Sequence, residues 1–125
     1  MGDESRDEPS AEQLLRISMR REAATIVMVV EGDVDMLTVG RLRAAADEAL
    51  RDAAGRAVVV DLTAVTYLGS HGLAALVEAA SRAELRRGPL RLVVDATRAV
   101  IGPLQASGLD ERLALYYSVE EALPQ

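Results

Sequence analysis

The stretch from Val58 to Val77 constrains this chain most. An apolar run, Val58–Val60, ends in Asp61. A polar link, Thr63 to Thr66, leads to Gly69-Ser70-His71-Gly72 and then to an amphipathic run. A short apolar run bounded by turn residues reads as a buried strand, and the 3.6-residue period behind it reads as a helix. Strands alternating with helices imply crossover connections and a largely parallel sheet. Ser70 falls where the helix begins. That end presents unpaired N–H groups and a partial positive charge, which favour an anion, bound or covalent. A serine there is either an ordinary helix cap or a residue placed to carry charge.

Similar units flank this one. Leu15, Ile17 and Met19 alternate with Arg16, Ser18 and Arg20, the pattern of a half-buried strand. Thr25–Val30 is apolar on both faces and therefore more central, so the two strands are expected to pair as an antiparallel hairpin. Glu31-Gly32-Asp33-Val34-Asp35 reads as a turn, with Asp35 or Thr38 capping the next helix. That helix carries Leu42, Ala45, Ala46, Ala49 and Leu50 as one stripe, and Gly55 suits the position after its end. Val58–Val60 is the third strand.

The helix from Ser70 shows Leu73, Leu76, Val77 and Ala80 on one face and stops at Arg86-Arg87-Gly88-Pro89. Leu90–Val94 is the fourth strand. Thr97 is placed to cap a third helix with Val100, Ile101 and Leu104 inward, and Gly102-Pro103 predicts a kink or a late start. Ser107-Gly108 ends it. Leu113–Tyr117 is the fifth strand, and Ser118 with Glu121 forms a capping box for a last short helix stopped by Pro124. The expectation is a single α/β domain over residues 13–125, with a mixed, mostly parallel five-stranded sheet and about four helices. Residues 1–12, charged and carrying Pro9, are expected to be a flexible N-terminal tail.

Composition narrows the function. The formal charge is −6 over 125 residues, which disfavours nucleic acid and anionic membranes as partners. Without Phe or Trp, stacking on bases has little to work with. Without Cys there is no thiolate chemistry, which fits a reducing compartment. The longest apolar run is too short to span a bilayer, and the polar N-terminus has no signal-peptide pattern. Met1-Gly2 resembles a myristoylation start, but Arg6 stands where that motif needs Ser or Thr. A cytoplasmic protein is expected.

One histidine and scattered carboxylates offer no metal site, and no phosphate-cradling glycine loop is present, so no metal or cofactor is expected. A serine at a strand-to-helix turn is also what a hydrolase nucleophile looks like. Leu68 replaces the first glycine of that motif, and the only histidine, His71, is the adjacent residue and diverges from Ser70. No catalytic residue is assigned.

Three segments carry a resemblance. Gly32-Asp33-Val34-Asp35 is similar to a Gly-Glu-Leu/Ile-Asp turn. Asp61 through Leu73 is similar to the pattern Asp-Leu-Ser-x-Val-x-Phe/Tyr-x-Asp-Ser-Ser/Thr-Gly-Leu. Ser107-Gly108-Leu109 is similar to a Ser/Thr-Gly-Leu that follows the third helix. Together they resemble the STAS domain family, specifically its stand-alone anti-sigma factor antagonists, over about residues 14 to 123. In that family the serine matching Ser70 is phosphorylated. The resemblance implies a partner-switching cycle. The unmodified protein binds an anti-sigma factor that is also a serine kinase, and a sigma factor is freed. The kinase then phosphorylates the antagonist with ATP, the complex parts, and a serine phosphatase resets it. STAS domains also serve as unphosphorylated accessory subunits of transporters or sensory complexes, which is the alternative.

The chain departs from the pattern beside Ser70. Gly69 stands for the acid, which removes a possible hydrogen-bond acceptor, and His71 stands for the second Ser or Thr. His71 either projects into solvent or touches the partner, where a histidine would make binding pH-sensitive. Asp33 and Asp35 are ordinary turn and cap residues, but their loop shares a sheet edge with Ser70. The expected partner surface is therefore Asp33, Asp35, Gly69, Ser70, His71 and Gly72. Thr63 and Thr66 are read as loop hydrogen-bonders, and Arg86-Arg87 as a solvated helix end.

Overall fold

Leu15–Glu22 (β1) and Thr25–Val34 (β2) form the expected antiparallel hairpin, with Leu15 opposite Gly32 and Glu22 opposite Thr25. Val58–Leu68 (β3), Leu90–Val93 (β4) and Ala114–Tyr116 (β5) add to β2 in turn, all parallel, so the sheet order is β1-β2-β3-β4-β5. The helices are Val39–Ala53 (α1), Ser70–Leu85 (α2), Arg98–Ser107 (α3) and Val119–Ala122 (α4), with a 3-10 turn at Leu109–Glu111. This computed structural model describes residues 14–95 and 98–124, so the expected tail 1–12 and the expected cap Thr97 lie outside the described residues. The α/β class and the mixed, mostly parallel five-stranded sheet are as expected.

The layering follows from the strand order. β2 to β5 are laid down in one direction without reversal, and right-handed crossovers then send every connecting helix to the same face. That face holds the main core: Ile26, Met28 and Val30 of β2, Val58, Val60 and Leu62 of β3, and Leu90 and Leu92 of β4, packed with Leu42, Ala46 and Leu50 of α1, Leu76 of α2, and Val100 and Leu104 of α3. The intervening Val27, Val59 and Val93 point to the other face, as strand alternation requires. There the short α4 covers them with Ala122, flanked by Val119 and Leu123.

Two elements run longer than the sequence suggests. Glu31–Val34 is not a turn but the end of β2, and Thr63–Thr66 is not a link but the middle of β3. The β2–β3 register slips between Val29 and Glu31 and again between Gly32 and Asp33. Each bulge opposes two residues to one and flips the alternation. Leu62, Val65 and Leu68 are consequently all buried at a spacing of three, which disguises a strand as a loop. β4 pairs with β3 only as far as Asp61, so the ends of β2 and β3 project beyond it as a two-stranded ribbon.

α1 buries Leu42, Ala46, Ala49 and Leu50 of the expected stripe, leaves Ala45 half-buried, and adds Val39 and Ala53. Its left-handed exit begins one residue before Gly55, at Ala54. α2 is rotated from expectation: Gly72, Ala75, Leu76, Ala79 and Ala83 are buried, while Leu73, Val77 and Ala80 are half-buried. The smallest side chains face the neighbours because the helix approaches them closely. α2 ends with Arg87 left-handed, the Arg87 N–H bonding to Glu84 and the Gly88 N–H to Ala83. α3 neither starts late nor stops at Pro103, and runs through it to Ser107. Arg43–Glu78 and Arg82–Asp47 ion pairs join the outer sides of α1 and α2. The Arg43 hydrogen bond holds the Glu78 carboxyl below its ordinary range. At α4, Ser118 Oγ accepts from Glu121 N–H as expected, and Glu121 Oε1 accepts from the N–H of Tyr117, one residue before the expected Ser118.

Candidate functional site

The projecting ends of β2 and β3 carry the site. Asp33 pairs with Tyr67 and Val34 with Leu68, and the ladder closes where Gly69 N–H donates to Val34 O at 3.0 Å. α2 starts at once. Gly69 is its cap residue, with extended backbone, and Leu73 N–H donates to Gly69 O. Ser70 is therefore the first helical residue rather than the cap, and its hydroxyl does not close the helix end as an N-cap would. Ser70 and His71 are exposed.

Gly72 is buried, so it supports the surface from beneath instead of facing a partner. A Cβ there would meet Leu68 Cδ1 at 2.6 Å and Val34 Cγ1 at 2.7 Å. Glycine at this point lets the first turn of α2 settle onto both strand ends, which fixes the height of Ser70 above the sheet.

The β2–α1 connection lies alongside. Asp35 Oδ1 accepts from Leu37 N–H at 2.9 Å and Thr38 N–H at 3.1 Å. Thr38 Oγ1 returns the bond by accepting from Asp35 N–H at 3.0 Å, and it donates to Asp33 O at 2.8 Å. Asp35 thus caps a turn leading into α1, with the buried Thr38 as its reciprocal partner. Asp33 Oδ1 accepts from Thr66 Oγ1 at 2.5 Å, which ties the two strand ends together. Thr63 donates its Oγ1–H and N–H to Asp61 Oδ1 just past the last β4 pair. Thr63 and Thr66 are hydrogen-bonders as expected, but on a strand.

Asp35→Ala removes the carboxylate that accepts from the Leu37 and Thr38 N–H groups, while the Thr38 Oγ1 bonds to the Asp35 N–H and to Asp33 O remain. A loss of about 1 kcal/mol is expected, a fall in Tm of roughly 4 °C for a domain of this size. Thermal denaturation followed by circular dichroism measures it.

Three surface residues escaped the sequence. Met36 and Leu37, in the turn that Asp35 caps, are 71% and 75% exposed, and Tyr67 on β3 is 53% exposed. They stand around the edge that carries Ser70. Their signal was present: two large apolar residues between Asp35 and Thr38 fit neither the strand nor the helix period. Because strand order never reverses from β2 to β5, the loops at this edge do not diverge to open a crevice. The edge presents a surface suited to another protein more than a pocket suited to a small substrate. Among the described residues, no group of three or more His, Cys, Asp or Glu is placed to hold a metal, and no helix is long and apolar enough to cross a membrane.

A family model described as "Mlab, STAS domain" matches residues 17–117. The anti-sigma-F factor antagonist RsfB of Mycobacterium tuberculosis is 29% identical over 114 residues, 91% of each chain. The crystal structure of an anti-sigma factor antagonist from Mycobacterium paratuberculosis is similar at a TM-score of 0.80 and 29% identity, over 91% of this chain and 95% of that one. The Bacillus cell fate determinant SpoIIAA in its phosphorylated form shares the fold, with a TM-score of 0.63 at 18% identity over 85% and 96%.

Proposed function

The chain belongs to the STAS domain family, and from that premise we propose that it is an anti-sigma factor antagonist controlled by phosphorylation of Ser70. In its unmodified form it binds an anti-sigma factor in the cytoplasm and frees the sigma factor. The anti-sigma factor acts as a serine kinase on Ser70, the complex parts, and a serine phosphatase restores the active form. The chain is a binding protein and a kinase substrate, with no catalytic residue of its own. The likeness to two mycobacterial anti-sigma factor antagonists supports the partner class.

The observation that carries the proposal is the position of Ser70. It is exposed at the first residue of α2, on the same sheet edge as the exposed Met36, Leu37 and Tyr67. A phosphoryl group there adds roughly −1.5 to −2 charges. The helix N-terminus tolerates it, so the domain need not unfold. A partner packed on those apolar side chains has to desolvate the phosphate, and it dissociates. A protein of the same fold exists in phosphorylated form.

Titration calorimetry of the unmodified chain against the anti-sigma factors of its genome tests this, with sigma-factor release as the second readout. Tight binding with release of the sigma factor supports the proposal, and the absence of binding to any of them refutes it. The missing acid at Gly69 motivates a second reading, an unphosphorylated accessory subunit, for which a stable complex that persists in ATP is the expected result.

A further inference from the structure

Gly69 adopts φ −92° and ψ −176°, a conformation open to any residue, so the backbone does not require glycine there. Glycine is also a weaker helix cap than Asp, Asn or Ser. Space explains it. A Cβ on Gly69 would lie 3.0 Å from the Tyr67 hydroxyl oxygen, 3.1 Å from Cε2 and 3.4 Å from Cζ. The edge of the Tyr67 ring, at Cε2 and the hydroxyl, lies against Gly69, and the hydroxyl borders the place that an acidic side chain at residue 69 would take. The ring is more than half exposed, so burial does not hold it there.

We infer that Tyr67, lying against Gly69, is the specificity-determining residue of the switch surface, giving the partner a neutral hydrogen-bonding hydroxyl where a carboxylate would otherwise stand. This rests on the proposed function and names the chemistry of its partner. A carboxylate selects an Arg or Lys on the partner, whereas a phenol selects a neutral donor or acceptor and leaves a cation unpaired. An anti-sigma factor that presents a cation here therefore discriminates against this chain, and one that presents a neutral polar group accepts it.

The test uses the full chain and the anti-sigma factor that it binds most tightly among those of its genome. Tyr67→Phe keeps the ring and removes the hydroxyl. It is expected to weaken that complex about three- to tenfold, the worth of one neutral hydrogen bond, with Tm unchanged. Gly69→Asp is expected to weaken the same complex at least as much, because the carboxylate displaces the ring. It is expected to strengthen binding to anti-sigma factors whose own antagonists carry Asp at this position.

Wild-type affinity in Tyr67→Phe overturns the inference while leaving the proposed function standing. If the wild-type chain binds no anti-sigma factor, the proposed function falls and the inference falls with it. A check that needs no partner is the proton spectrum. The ring edge beside Gly69 displaces its α-proton resonances, and Tyr67→Ala should return them to ordinary positions. Gly69 α-protons that Tyr67→Ala leaves unmoved would also overturn it.

Discussion

Ser70→Glu is expected to weaken the complex with the anti-sigma factor by about a hundredfold, while Ser70→Ala binds within about threefold of wild type. Ser70 is exposed at the start of α2. A carboxylate there is compatible with the positive end of the helix, so Tm should hold or rise slightly in Ser70→Glu. In the proposed complex the same charge would meet a partner surface packed on the exposed Met36, Leu37 and Tyr67. An uncompensated charge in an interface costs on the order of 3 kcal/mol, which is roughly a hundredfold. Ser70→Ala removes only a hydroxyl that does not cap the helix. Titration calorimetry on the three proteins, with thermal melts as the folding control, separates a lost interface from a lost fold. Equal affinity in all three would remove Ser70 from the partner surface.

Gly32→Ala is expected to cost about 3 kcal/mol or more and to lower Tm by roughly 10 °C. Gly32 has φ +109°, between the two register slips of β2 against β3. That backbone conformation is strained for any L side chain. The added Cβ would also lie 2.0 Å from Leu14 O and 3.0 Å from Leu14 C. These are main-chain atoms of the residue just before β1, so no rotamer relieves the clash. The site should suffer too, because Asp33 and its bond to Thr66 depend on the bulge. A melt of Gly32→Ala within about 2 °C of wild type would mean that β1 yields at Leu14 more easily than its pairing with Gly32 suggests.

The fold was largely legible because its signals are periodic. The apolar runs in β2, β3 and β4 survive in the structure, as does the stripe of α1 apart from the half-buried Ala45, whereas the alternation of β1 holds at Leu15 and Ile17 but not at Met19, which is exposed on this edge strand. The bulged half of the β2–β3 pair was not. With burial at Leu62, Val65 and Leu68, the strand period is gone, and Thr63 and Thr66 imitate a loop. A bulge is a property of two strands in register, and one strand's sequence does not hold it. The face of α2 was misjudged for a related reason. Hydrophobicity points to Leu73 and Val77, whereas close approach to neighbouring elements, as at Gly72 against Val34 and Leu68, selects the small residues Gly72, Ala75 and Ala79.

The site was half legible. Ser70, His71 and the two aspartates do lie on one edge, though Asp33 belongs to a strand and Gly72 is buried. Met36, Leu37 and Tyr67 surfaced only once exposure was known, because an apolar residue in sequence is normally assigned to the core.

Peptide-mapped mass spectrometry, after incubating the chain with ATP and each kinase–anti-sigma factor of its genome, tests the central claim most directly. One added phosphoryl group on Ser70, absent in Ser70→Ala and accompanied by release from the complex, is the predicted result. A tight complex that leaves Ser70 unmodified in ATP, or a phosphoryl group on another residue, would contradict it.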